Sequence, residues 1–186
     1  MSLHGLVHHP ATPSTVIERI EVELGRDPRG MQLCYRMRGD AKRVVVAPPA
    51  TDETPRRRDG LWHSTCCELF LRDASGAGYR EYNFAPSGDW AAYRFSGYRS
   101  GMVPLDTRAP IITIERSPGV IALSVTLTDP SLDGLDIRRI GLACVVETDA
   151  GLCYWALAHP PGKPDFHHAS AFGLTPAIDR AAHSGT

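Results

Sequence analysis

The stretch "YREYNFAPSGDWAAYRFSGY", residues 79–98, predicts two antiparallel strands joined by a tight turn. Side chains alternate between the two faces of a strand, so Tyr82 and Phe84 share one face while Glu81 and Asn83 share the other. Between the strands, "APSGD" supplies the proline, glycine and aspartate that favour turns. One apolar and one mixed face are typical of an antiparallel sheet, and the stretch therefore predicts a β-hairpin.

The same two-residue alternation recurs along most of the chain. Strands are predicted at 14–24, 30–39, 42–48, 61–72, 79–85, 89–97, 110–116, 119–128, 138–147 and 151–158. Helix is predicted only as a short turn near 129–135 and as a frayed tail at 176–186. About ten short strands with tight connections predict an all-β, antiparallel β-sandwich, jelly-roll-like and with little helix. A chain of 186 residues predicts one domain, 1–186.

Composition and charge argue against several classes of protein. The formal net charge is -1, and the one basic run, Arg56-Arg57-Arg58, lies among acidic residues, so a nucleic-acid partner is not expected. No apolar stretch is long enough to span a membrane. The N-terminus lacks the pattern of an export signal, and the five cysteines are odd in number. We therefore expect a cytoplasmic protein with reduced thiols.

Side-chain parity predicts a candidate binding surface. In "LWHSTCCELFL", residues 61–71, Cys67, Leu69 and Leu71 are expected to face the interior, which leaves Glu68 on the opposite face. Polar and aromatic residues of several strands are assigned to this kind of face. Together with Glu68 they are Asn83, Trp90, Arg94, Glu147, Trp155 and His159. Such a face is suited to a sugar or another flat ligand. An ion pair between Glu68 and Arg94 is the structural alternative.

Three motifs of the chain resemble the DOMON-like domains, a group related to the family 9 carbohydrate-binding modules. They are Trp62 followed by "ELFL" at 68–71, the run Tyr79, Glu81, Asn83, Pro86 and Gly88, and "WALAHPPGKPDFH" at 155–167, which is typical of a bacterial subgroup. The family has an acidic residue where this chain has Cys66-Cys67. The resemblance implies a jelly-roll β-sandwich that binds a small ligand without catalysis. It also implies that a sugar would contact Trp62, Glu68, Asn83, Trp90, Arg94 and Trp155.

The histidines of "HPPGKPDFHH", residues 159–168, leave several functions open. Three prolines and a glycine predict a rigid loop, which we name the flap (residues 160–168) and expect to border any ligand site. His159, His167 and His168 could hold a metal, but adjacent histidines of an extended segment point apart. Hydrogen bonds within the loop, or ligand contact by these histidines, are the alternatives.

These patterns together predict a non-catalytic module that binds a small polar ligand, a carbohydrate or a glycoconjugate fragment, without a cofactor. The alternatives are haem or metal binding through the histidine-rich loop and a protein–protein interaction module. In the latter case a homodimer would cover the Trp90–Arg94 face.

Overall fold

Antiparallel strands form nearly all the regular structure in the computed structural model, which describes residues 1–46 and 56–176. The strands are β1 (Ser2–His8), β2 (Ile17–Asp27), β3 (Gly30–Gly39), β4 (Cys66–Asp73), β5 (Tyr79–Phe84), β6 (Trp90–Phe95), β7 (Val103–Pro104), β8 (Ile111–Ser117), β9 (Val120–Leu127), β10 (Ile137–Thr148) and β11 (Gly151–Ala156). Helix within the described ranges is limited to four 3₁₀ turns, at Ala41–Arg43, Leu61–His63, Pro130–Leu132 and Ala169–Ala171. The prediction of an all-β protein with little helix is confirmed.

The strands pair in one continuous sheet, in the order β7-β6-β5-β4-β10-β11-β1-β2-β3-β9-β8. Every pair is antiparallel, as the sequence predicts. Strand β1 joins two halves of this sheet, because Leu6 pairs with Ile20 of β2 whereas Val7 pairs with Ala156 of β11. We call β2, β3, β8 and β9 the first half, and β4, β5, β6, β7, β10 and β11 the second half.

The sheet curls so that its two halves face each other across the main core. Tyr35 of β3 is fully buried, and its hydroxyl donates a hydrogen bond of 2.8 Å to the carbonyl oxygen of Glu68 in β4. Apolar side chains of both halves form one buried cluster around this contact, for example Ile20, Leu33 and Leu123 from the first half and Leu69 and Leu142 from the second. Removal of this apolar surface from water is the main force that closes the sheet.

The first half follows the alternation of its sequence. In β3 the buried residues include Met31, Leu33, Tyr35 and Met37, which alternate along the predicted strand 30–39. A β-bulge in β2, between Ile17 and Arg19, changes which residues point inward. Ile17 is therefore buried, whereas Glu18, which uninterrupted alternation would place on the same face as Ile20, is exposed.

The second half is buried on both of its faces. One face contributes to the main core, and the other carries a second apolar cluster that includes Phe70, Tyr79, Phe95, Phe166 and Phe172. We call this second face the outer face. Because of this double burial, six consecutive residues of β4, Cys66–Leu71, are buried and the simple alternation is lost. The flap and the residues after it lie over the outer face and return to the sheet where Leu174 bridges Ile140.

Some predicted elements are wrong in type or extent. The strand predicted at 42–48 begins instead as the 3₁₀ turn Ala41–Arg43, because the Asp40 side chain accepts a hydrogen bond from the backbone of Lys42. Residues 47 and 48 lie outside the described residues, as do residues 177–186 of the predicted tail. The strand predicted at 61–72 starts at Cys66, after a 3₁₀ turn. Strands β1 and β7 were not predicted; β1 buries Leu6 alone, so its alternation is weak.

Candidate functional site

Three polar side chains lie buried on the outer face of β4 and β5. Glu68 pairs directly across the strands with Asn83, and Phe70 pairs with Glu81, so all three polar residues point to the same side. Glu68 and Glu81 are each 4% exposed, and Asn83 is fully buried. Two carboxylates in so apolar a position are costly unless something compensates their charge.

A cavity of about 560 Å³ opens over these carboxylates, between the outer face and the flap. Its aromatic walls are formed by Trp62, Phe95, Tyr154 and Phe166. Its polar lining includes Glu68, Glu81, Arg99 and His167. Small-molecule sites of proteins commonly have this character, with apolar walls and a few converging polar groups.

Asp165 holds the flap in place over the cavity. Its carboxylate accepts hydrogen bonds from Nε and Nη2 of Arg99, at 3.3 and 2.9 Å, and from the hydroxyl of Tyr98, at 2.5 Å. It also accepts one from the backbone amide of His167, at 3.1 Å. Burial raises the pKa of Asp165, but the hydrogen bonds from Tyr98 and Arg99 outweigh this effect and keep the pKa below its ordinary value.

Arg99 adopts a left-handed backbone conformation beside the cavity, with φ of 49°. Within the described residues it is the one non-glycine residue with a positive φ. Its backbone amide donates a hydrogen bond of 3.4 Å to the hydroxyl of Tyr79. Such strain is maintained only where surrounding contacts fix the residue, and here the contacts come from Tyr79 and Asp165.

His167 extends from the flap into the cavity and is neutral at pH 7. Its Nδ1 lies 2.6 Å from the hydroxyl of Tyr79 and 3.8 Å from Oε2 of Glu81. Burial, followed by the positive charge of Arg99, lowers the pKa of His167 to about 4. The imidazole therefore does not neutralise the negative charge of Glu81.

The carboxyl groups of Glu68 and Glu81 take up protons unusually readily. Burial raises the pKa of Glu81 to about 7, against a smaller opposing effect of the hydrogen bond that Asn83 donates to Oε1 at 2.7 Å. Burial and the negative charge of Glu81 raise the pKa of Glu68 well above its ordinary value. No lysine or arginine of the described ranges forms an ion pair with either group, because Arg99 pairs with Asp165.

Only some of the residues predicted from sequence meet at this cavity. Trp62 and Glu68 line it, and Asn83 lies behind Glu81. His159 lies just before the flap; its Nε2 is 2.9 Å from the carbonyl oxygen of Val7, and its ring packs near Phe166. Ligand contact by these residues stays a prediction.

The prediction that Trp90, Arg94 and Trp155 share a face with Glu68 is wrong. Trp90 and Trp155 point into the main core and are 6% and 3% exposed. Arg94 is exposed and, by the register of β6, lies on the same side of the sheet as Trp90. The expected ion pair between Glu68 and Arg94 is therefore not formed. Glu147, assigned to the same kind of face, accepts a hydrogen bond of 2.5 Å from Ser64.

Most residues that line the cavity were not among the predicted site residues, and four of those missed are Glu81, Arg99, Phe166 and His167. Glu81 could have been found, because parity places it beside Asn83 on β5. The other three lie in irregular segments, where no periodicity indicates the direction of a side chain.

A larger groove, of about 870 Å³, lies at the edge of the second half and includes Arg94. It is lined largely by the turn residues 73–78 and by β-strand ends. Two of its charged residues, Asp73 and Arg80, already form an ion pair with each other. We therefore regard the cavity under the flap, with its buried and uncompensated carboxylates, as the better candidate site.

The histidines engage in hydrogen bonds with nearby groups of the protein. His168 accepts a hydrogen bond from the backbone amide of Ser170 at 3.2 Å. His167 contacts the hydroxyl of Tyr79, and His159 contacts the carbonyl oxygen of Val7. Among residues 1–46 and 56–176, no group of three or more metal-ligating side chains is placed to hold an ion. No helix in the same ranges is long and apolar enough to cross a membrane.

Comparison with known proteins gives a likeness in fold. No protein-family model matches the chain, and no curated protein matches it. Among solved structures, the chain is similar to the crystal structure of a "putative carbohydrate-binding protein" from Bacteroides uniformis ATCC 8492. The TM-score is 0.63 and the identity 12%, over 93% of this chain and 84% of that chain. At this identity, the likeness shows that the two proteins share a fold over nearly the whole of this chain.

Proposed function

We propose that the chain is a non-catalytic binding protein that holds a carbohydrate in the cavity under the flap. The observation that carries this proposal is the combination of aromatic walls and buried carboxylates around about 560 Å³. The apolar face of a sugar ring packs well against an aromatic side chain such as Trp62, which is only half-buried. Carboxyl groups at the floor of the cavity accept hydrogen bonds from sugar hydroxyls.

The likeness to the Bacteroides uniformis protein supports the proposal by association, since fold alone does not determine function. The three motifs that resemble the DOMON-like domains point in the same direction. We further propose that the curled sheet is a variant of the jelly-roll-like sandwich of those domains, and that the protein works in the cytoplasm.

Isothermal titration calorimetry against a panel of mono- and oligosaccharides tests the proposal. We expect at least one sugar to bind, and Trp62→Ala to abolish or strongly weaken binding while the circular dichroism spectrum stays that of the native protein. Arg94→Ala is the matched control, because Arg94 lies on the opposite face of the sheet. Binding that depends on Arg94 and not on Trp62 would place the ligand elsewhere. Hydrolysis of the bound sugar would contradict the non-catalytic part of the proposal.

A further inference from the structure

No lysine or arginine of the described residues forms an ion pair with the carboxyl groups that line the cavity. Glu68 and Glu81 both line it and are both more than nine-tenths buried. Oε1 of Glu81 is satisfied by Asn83, but Oε2 is buried and has no hydrogen-bond partner within the described residues. A buried carboxylate oxygen without a donor costs more than an ordinary missing hydrogen bond, and here it lies at the wall of a cavity.

The basic groups nearby do not supply the missing positive charge. The guanidinium of Arg99 is bound by Asp165; its positive charge lowers the pKa of Glu68 and of Glu81, but burial outweighs this effect and keeps both pKa values raised. His167 is the other neighbour, and it is neutral at pH 7 because burial and Arg99 lower its pKa to about 4. A ligand that brought a positive charge with N–H donors would therefore satisfy both the charge and the free oxygen.

We propose that the sugar recognised in this cavity is an amino sugar, whose protonated amine lies between the carboxylates of Glu68 and Glu81. This inference rests on the proposed function and names the substrate class of the same site. The half-buried ring of Trp62, which also lines the cavity, adds attraction for a cation as well as for the sugar ring. Charge-assisted hydrogen bonds of this kind are about twice as strong as those between neutral groups.

The bound ammonium takes the place of a proton that the carboxylates otherwise hold. The titratable groups that face Glu81 are Cys66, Glu68, Tyr79, Tyr93, Arg99 and His167. Burial raises the pKa of the cysteine and of both tyrosines, so these three stay neutral at pH 7. Between pH 5.5 and 7, Glu81 changes charge, and its protonation removes the attraction for an ammonium.

Matched sugars that differ only at carbon 2 provide the test. Calorimetry at pH 7 compares glucosamine with N-acetylglucosamine and glucose, and galactosamine with galactose. It also compares the β-1,4-linked trimer of glucosamine with the β-1,4-linked trimers of N-acetylglucosamine and of glucose. We expect an amino sugar to bind at least about tenfold more tightly than its neutral counterparts. We also expect its affinity to fall as the pH is lowered from 7 to 5.5, while that of any neutral sugar stays nearly constant.

The outcomes separate the inference from the proposed function. Equal or tighter binding of the neutral sugars would overturn the inference and leave the carbohydrate-binding proposal standing. Binding of no sugar in the broader panel would overturn both. An amino sugar whose affinity does not change between pH 7 and 5.5 would also refute a site at Glu81.

Two variants locate the ammonium. Glu81→Gln keeps the size of the side chain and an oxygen for Asn83 but removes the charge, so the preference for the amino sugar should fall to about threefold or less. Glu68→Gln should also reduce the preference for the amino sugar, and it replaces Glu81→Gln as the test if that variant does not fold. Glu115→Gln, an exposed position on β8, is the matched control and should keep the full preference. Retention of the full preference by both cavity variants would overturn the inference.

Discussion

Replacement of Glu81 by glutamine is expected to stabilise the protein above pH 7 and to leave its stability unchanged near pH 4.5. Glutamine is nearly the same size as glutamate and retains an acceptor for the amide of Asn83, which lies 2.7 Å from Oε1. The substitution therefore removes a buried negative charge while leaving the packing intact. The gain in stability measures what it costs the folded protein to ionise Glu81.

The size of this cost follows from the pKa. Burial raises the pKa of Glu81 from 4.5 to about 7, so the folded protein binds the proton more tightly than the unfolded chain does. The wild-type protein must then lose stability as the pH rises from 4.5 through 7. Each pKa unit corresponds to about 1.4 kcal/mol, so ionised Glu81 lowers the free energy of unfolding by about 3 kcal/mol. For a chain of this length, that corresponds to about 6–12 °C in melting temperature.

Urea denaturation at pH 5, 6, 7 and 8, followed by tryptophan fluorescence with the thiols kept reduced, measures the effect. The difference between Glu81→Gln and the wild type should be small at pH 5, increase through pH 7 and level off above it. Glu115→Gln should show no such rise, because this side chain is exposed. A difference that is the same at every pH, or a variant less stable than the wild type at pH 8, would refute the view that Glu81 is a buried and uncompensated acid.

Three further changes test the contacts around the site. Tyr35→Phe removes the hydrogen bond to the carbonyl of Glu68 and should lower the free energy of unfolding by about 1–2 kcal/mol in urea; an unchanged value would contradict the link between the halves. Asp165→Asn weakens the contacts with Tyr98 and the largely exposed Arg99, so it should cost only about 1 kcal/mol but speed amide hydrogen exchange in the flap. Trp155→Ala should cost about 3–5 kcal/mol by thermal unfolding, and a cost near zero would contradict its position in the main core.

Simple alternation predicted the fold well where a strand has one buried face. The bounds predicted for β3, 30–39, are those of the structure, because alternate residues from Met31 to Met37 enter the main core. In the segment predicted as a strand, 42–48, the β-branched run favours a strand, yet hydrogen bonds from the backbone of Lys42 to the Asp40 side chain and from the backbone of Arg43 to the Asp40 carbonyl make Ala41–Arg43 a 3₁₀ turn. Local side-chain contacts of this kind are stronger than intrinsic preference over a few residues.

The candidate site was harder to predict, because parity sorts residues into two sets without showing which set faces the main core. In β6 the sequence offers Trp90 and Arg94 on one face against Ala91 and Tyr93 on the other, and the polar end of Arg94 favoured the wrong assignment. The sheet has a second buried cluster, so apolar character does not distinguish its two faces. The flap contributes His167 through contacts with distant residues such as Tyr79, which no local pattern encodes.

The position of β1 sets the order in which the chain can complete its sheet. Strand β1 pairs with β2, which follows it closely in the chain, yet its pairing of Val7 with Ala156 requires β11, which is synthesised only after β2 to β10. Closing so long a stretch of chain is entropically slow, and until it happens one edge of β1 and one edge of β11 stay unpaired. Open edges of this kind invite pairing with other chains. We therefore expect the nascent protein to depend on the late pairing of β11 with β1 to avoid aggregation during its synthesis.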